Sequence, residues 1–187
     1  RTLHPPPDGA SGRRLARPRA MCGIVGVSNH PEAARLAYLA LYALQHRGQE
    51  SAGMVTLDQS GTARAHCGMG LVSDVFSEPA IAELVGTTAV GHARYSTAGA
   101  SVLANSQPVL VRYRNGTLVL AHNGNLVNDA DVRRRLVNEG SIFQSTMDSE
   151  TIVHLIARST LDDPEAQIRE ALAQVEGAYS LILAVNQ

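Results

Sequence analysis

Residues 17–29 read RPRAMCGIVGVSN, and the fold turns on what Cys22 does at the head of that stretch. From Gly23 to Val27 the chain is apolar and punctuated by glycine. That is the pattern of a short buried strand whose backbone approaches a neighbour closely. A cysteine leading such a strand is an ordinary core thiol if the chain simply runs through it. If Met21 is a true start, Cys22 becomes the first residue of the mature protein. One residue then carries both a thiol and a free α-amine, and the strand exists to hold a nucleophile.

Outward from this strand, Pro31 and Glu32 suit the first turn of a helix. Its apolar face is expected at Leu36, Leu39, Ala40, Ala43 and Leu44, with Gly48 as its stop. Strands are expected over 52–57 and 62–67, joined by a Gln-Ser-Gly turn, and over 88–93. Between PVLVRYR (108–114) and TLVLAH (117–122), Asn115–Gly116 predicts a two-residue hairpin loop. Two or three helices, at about 129–139, 149–159 and 164–175, are expected to follow, and AYSLILAV (178–185) closes as a buried strand. Strands, then helices, then a returning strand predict an α+β layered sandwich.

The bulk numbers narrow the class. At 187 residues, 44% hydrophobic and 18% charged, the chain has the makings of one globular domain. Its longest apolar run, Leu36 to Leu44, is nine residues, too short to span a membrane. Two cysteines make no disulfide framework and no secretory segment is visible, so a reducing cytoplasm is expected. All 16 basic residues are arginine, a bias to which no function attaches. Residues 1–20 hold five arginines, four prolines and one acid, Asp8, whereas the remainder carries a net charge of −5. A lead-in with so little to bury is expected to be disordered, a leader or an upstream extension ending at Met21. A transit peptide fits its charge, but the prolines oppose an amphipathic helix. Without aromatic residues it is no specific nucleic-acid arm. The domain proper is expected over 22–187, and a chain stopping at a core strand reads as the front of something longer.

Five stretches carry chemistry: Cys22-Gly23, LQHRGQESAGM (44–54), GHARYSTAG (91–99), AHNGN (121–125) and DSE (148–150). Together they hold the parts for splitting a primary amide from an amino acid. An N-terminal cysteine supplies a thiol nucleophile and, in its own α-amine, a base of nearly matched pKa. Asn123 offers a side-chain NH₂ and Gly124 a backbone N–H to an oxyanion. Arg94 supplies the planar fork that a substrate carboxylate needs, and Asp148 a carboxylate for its ammonium group. Each part also has a plain structural reading. Cys22 suits a core, Arg94 a surface or a structural contact, Asp148 a helix cap, and Asn123–Gly124 a hairpin turn. His46, His66, Cys67, His92, His122 and His154 show no metal-ligand spacing, so no metal is expected in this chain.

The order of the motifs resembles the glutaminase domain of class II glutamine amidotransferases, a branch of the N-terminal-nucleophile hydrolases, from Met21 onward. The resemblance implies a four-layer αββα sandwich. It places the nucleophile at Cys22, the structural arginine of the HRG motif at Arg47 beside Gly48, and the glutamine-carboxylate arginine at Arg94 with Thr97 in the same loop. It also places the oxyanion pair at Asn123 and Gly124, and the ammonium-binding aspartate at Asp148. HRGQES, RYSTAG and HNGNLVN depart from the YRGYDS, RWATHG and HNGIIEN expected of sugar-phosphate aminating enzymes, the alternative reading. They favour the branch that aminates 5-phosphoribosyl diphosphate in purine synthesis.

That branch implies L-glutamine as substrate, no cofactor in this chain, and Mg²⁺ beside the phosphoribosyl substrate in a second, absent half. It further implies a homo-oligomer at full length, and an iron–sulfur cluster, in relatives that have one, ligated downstream. LDDPEAQ (161–167) has acids but leads into Pro164 and a helix, so it is rejected as that half's phosphate loop. Residues 1–20 stand against the resemblance, because no thiol behind them can use its own amine. With the leader retained, the chain would be an inactive glutamine-binding module.

Overall fold

The computed structural model describes residues 22–47, 50–95 and 102–186. Strand β1 (Gly23–Val27) leads into helix α1 (Ala33–Leu44), which tightens into a 3₁₀ turn at Gln45–Arg47. Then come β2 (Ser51–Leu57), β3 (Ala63–Met69), the short helices α2 (Val72–Val75) and α3 (Glu78–Glu83), and β4 (Thr88–Arg94). After a 3₁₀ turn at Leu103–Asn105 follow β5 (Val109–Tyr113), β6 (Gly116–Leu126), α4 (Asp129–Asn138), α5 (Asp148–Arg158), α6 (Pro164–Leu172) and β7 (Gly177–Asn186).

The strands form two antiparallel sheets, ordered β1-β4-β2-β3 and β5-β6-β7. Three apolar cores bind the layers. One joins α1, α2 and α3 to the first sheet, one lies between the sheets, and one joins the second sheet to α4, α5 and α6. This is the αββα sandwich. Each fully buried leucine or isoleucine contributes roughly 1.5–3 kcal/mol. Exposed ion pairs such as Arg35–Glu78 add little beside that. Strand β2, flanked on both sides and covered on both faces, is buried at every position, whereas the edge strand β3 alternates.

Strand alternation decides which side chains meet. In β4, Ala89 and Ala93 join the core under α1, whereas Val90 joins the core between the sheets. His92 and Arg94 follow Val90 in period two and share its side. In β6, Leu118 and Leu120 face the helices, while Val119 and Ala121 face the first sheet, and Asn123 continues the latter series. Ile24 of β1 also packs between the sheets, so the same alternation carries Cys22 to that side.

Three local expectations are corrected. The buried face of α1 is Ala33, Ala34, Ala37 and Leu41, while Leu36 and Leu39 are 40% and 54% exposed. The helix lies so close to the sheet that small residues must face it. A Cβ on Gly91 would sit 2.8 Å from the Leu41 side chain, so the heavier leucine stripe turns outward. In the hairpin, pairing closes at Tyr113 and Gly116. Its turn residues are therefore Arg114 and Asn115, with the positive φ of 101° at Gly116 and not at Asn115. Helices α2 and α3 were not anticipated. Each is under seven residues, too short for a periodic signal, although Ser77 caps α3 by accepting from the Ala80 N–H. Gly48, the expected stop of α1, lies outside the described residues. One acid of LDDPEAQ caps a helix: Asp163 accepts from the Ala166 N–H at 2.8 Å and Pro164 opens α6.

Candidate active site

Cys22, Arg94, Gly124 and Asp148 line one cleft of ≈ 300 Å³, together with Tyr95, Gln107, His122 and Met147. The four come from the head of β1, the last residue of β4, the far end of β6 and the first residue of α5. The ends of both sheets and one helix therefore open on the same space.

The Cys22 thiol is half-buried and lies 3.8 Å from the Tyr95 carbonyl. Burial raises its pKa above the ordinary thiol value and the Glu50 charge adds to this, while the Arg94 guanidinium works against them. With a peptide bond on its nitrogen, this thiol has no base of its own.

Arg94 is only 6% exposed. Its Nη1 donates to the Asn105 carbonyl at 2.7 Å, and its Nε lies 3.8 Å from a Glu50 carboxylate oxygen that is itself buried. The surface-arginine reading is thereby excluded. Asn105 in turn fixes the loop ahead of α5, donating to Thr146 Oγ1 at 3.0 Å and accepting from the Thr146 N–H at 3.2 Å. Glu150 pins the same loop by accepting from the Gln144 and Ser145 amides, both at 2.8 Å.

Asp148 is not the cap of α5, for Met147 occupies that position. One of its oxygens accepts from the Leu126 N–H at 3.0 Å, and the other lies 3.1 Å from His122 Nδ1. Burial pushes the Asp148 carboxyl up. The His122 ring and the Leu126 and Ser149 amides outweigh burial and hold it below the ordinary carboxylate value. Asn123–Gly124 is not a hairpin turn either, since both residues lie within the eleven-residue strand β6. Gly124 has φ +149°, and a Cβ there would sit 2.3 Å from the Ala178 carbonyl oxygen, so only glycine fits. The half-buried Asn123 side chain makes no hydrogen bond among the described residues.

Thr97 lies outside the described residues, as does the Arg47 side chain. The sequence reading passed over Glu50, Asn105 and Gln107, and it weighed His92 and His122 only as metal ligands. Two polar residues at i and i+2 in an apolar strand, His92 and Arg94, were the available signal for an inward polar face. Among the described residues no cluster of His, Cys, Asp or Glu is arranged to hold a metal.

A glutamine amidotransferase domain model matches residues 92–187, which span β4 to β7. Amidophosphoribosyltransferase from Lacticaseibacillus casei is 47% identical over 163 residues, covering 87% of this chain and 84% of its own length. The chain belongs to the amidophosphoribosyltransferase family of glutamine amidotransferases. Chloroplastic amidophosphoribosyltransferase 1 from Arabidopsis thaliana is 48% identical over 96% of this chain, but only 32% of its own length is covered. The solved structure of the glutamine phosphoribosylpyrophosphate amidotransferase from B. subtilis superposes with a TM-score of 0.80 at 42% identity, covering 87% of this chain and 35% of that one. The chain thus spans about a third of the length of the plant and Bacillus subtilis amidophosphoribosyltransferases it resembles.

Proposed function

We propose that this chain is the glutamine-hydrolysing part of an amidophosphoribosyltransferase, with Cys22 as its nucleophile. The observation that carries this is the convergence of Cys22, Arg94, Gly124 and Asp148 on one cleft. Arg94, with Thr97, takes the α-carboxylate of L-glutamine, and Asp148 its α-ammonium. Both Asp148 oxygens already accept one hydrogen bond, and each has a second lone pair to offer. Held at that end, glutamine presents its side-chain amide to the Cys22 sulfur. The thiol passes its proton to the α-amine of Cys22 and the sulfur attacks the amide carbon. The resulting oxyanion is met by the Asn123 side-chain N–H and the Gly124 backbone N–H. Collapse expels ammonia, which takes up the proton, and leaves a γ-glutamyl thioester that water cleaves to glutamate. Arg47 and Gly48 support the site structurally.

In the whole protein the ammonia passes to 5-phosphoribosyl diphosphate, giving 5-phosphoribosylamine for purine synthesis. Mg²⁺ would accompany that substrate on residues outside this chain. No helix among the described residues is long and apolar enough to cross a membrane. We place the enzyme in the cytoplasm, as a homo-oligomer.

The α-amine mechanism requires that residues 1–21 be removed. Protein retaining them should release almost no glutamate, because an amide nitrogen has no basic lone pair. Protein with Cys22 as its first residue, shown by intact mass, should release glutamate, and a glutamine-derived electrophile should then add to Cys22 and not to Cys67. Full activity with residues 1–21 still attached would sink the mechanism.

A further inference from the structure

Strand β5 stops pairing with β6 at Val109, opposite Leu120. Two residues further along β6, where a strand partner of His122 would stand, a side chain takes its place. Gln107 Oε1 accepts from the His122 N–H at 2.7 Å, and Gln107 Nε2 donates to the His122 carbonyl at 3.3 Å. A second donor reaches the same carbonyl from the other sheet, His92 Nε2 at 3.1 Å. Because a carbonyl only accepts, the His92 proton sits on Nε2. All three residues are buried, with Gln107 7%, His122 2% and His92 0% exposed.

The His122 carbonyl belongs to the planar peptide whose nitrogen is that of Asn123. Fixing its oxygen from two sides, with the Gln107 amide also holding the His122 N–H, fixes the direction in which Asn123 and Gly124 leave. Resting on the reading of these two residues as oxyanion donors, we propose that Gln107 and His92 are positioning residues for the oxyanion site, acting through the His122 peptide. His92 is not among the residues that line the cleft, whereas Gln107 is. Burial holds the His92 pKa down to about 3, with the neighbouring His122 and Arg94 charges acting the same way. The imidazole therefore stays neutral and keeps one fixed donor at any working pH. The arrangement is directional. A carboxylate at position 107 could still accept from the His122 N–H, but it would face the carbonyl with lone pairs.

The test uses full-length protein with Cys22 as its first residue, comparing Gln107→Glu, His92→Phe and His92→Gln. Glutamine turnover is measured together with glutamate affinity by calorimetry, since glutamate uses the Arg94 and Asp148 end but forms no oxyanion. Removing an oxyanion donor outright costs about 10²–10³ in rate, so misplacing one should lower kcat by about tenfold or more. In the two His92 variants KM for glutamine and Kd for glutamate should stay within about twofold. His92→Gln, which restores an N–H donor, should recover most of the kcat lost in His92→Phe. If Gln107→Glu yields no folded protein, the two His92 variants decide by the same readings. Unchanged kcat in the folded variants, a rise in KM matching the fall in kcat in the His92 variants, or no advantage of His92→Gln over His92→Phe would overturn the positioning role. Absence of glutamine hydrolysis in the unsubstituted protein would instead overturn the functional reading beneath it.

Discussion

Arg94 does two jobs with one guanidinium. It ties the end of β4 to the Asn105 carbonyl, and it stands at the cleft beside Cys22. Arg94→Lys keeps the charge and loses the planar fork. Charged hydrogen bonds are worth about 1.5–3 kcal/mol, so KM for glutamine should rise roughly tenfold to a hundredfold. An unchanged KM in this variant would remove Arg94 from the substrate site. His92 makes a prediction of the opposite kind, on stability. Its folded pKa of about 3 lies well below the ordinary 6.5, so between those values the unfolded chain takes up a proton that the folded chain refuses. Stability is therefore full above pH 6.5 and falls as the pH drops towards 3. The slope from one such group reaches about 1.4 kcal/mol per pH unit. His154, also held below its ordinary value mainly by burial, acts in the same direction. Urea titrations at pH 7 and pH 5 should show a smaller loss in His92→Gln than in the unsubstituted protein. An equal loss in both would mean that His92 is not held neutral.

At the scale of elements, α1 shows why apolar weight alone misplaces a helix face. Leu41→Ala should cost about 2–5 kcal/mol, as for a buried leucine with no room to collapse. Leu39→Ala should stay within about 0.5 kcal/mol. A thermal-unfolding comparison in which the two lose equally would restore the face read from the sequence. The strands were legible because burial on one or both faces writes itself as alternation or as a continuous apolar run. The starts of α4, α5 and α6 were legible to within one residue because Asp129, Pro164 and their neighbours are strong start signals, whereas α6 stops at Leu172 and not at 175. The closeness of α1 to Gly91 was not legible, since it depends on a helix-to-sheet distance that no local pattern encodes. The same holds for the site. Cys22, Arg94, Gly124 and Asp148, which line the cleft, could be named from motifs, because their chemistry is in their side chains or in a glycine, whereas Asn123, named with them, is not among the residues lining it. Gln107, Asn105 and Glu50 could not, because their partners, His122, Thr146 and Arg94, are up to 44 residues away in sequence.

For the molecule as a whole, three apolar cores hold four layers in register, and Cys22, Arg94, Gly124 and Asp148 meet at one end of that stack. The layers thus act as a frame, and chemistry is confined to the end where β1, β4, β6 and α5 terminate or begin. Within that end Arg94 is paired with Glu50, and Asp148 lies against the His122 ring, before any substrate arrives. Glutamine enters as a zwitterion, a dipole of no net charge, and the net −5 borne by residues 21–187 exerts no long-range pull on it. Salt screens distant charges far more than buried neighbours, with a Debye length of about 10 Å at 0.1 M ionic strength. A roughly tenfold increase in sodium chloride should accordingly leave KM for glutamine almost unmoved. A steep salt dependence measured by initial rates would mean that the guanidinium and the carboxylate are not paired as described. Counterions, in this view, have no part in capturing the substrate: the cleft recognises two opposite charges at a fixed separation and is indifferent to the ionic medium outside.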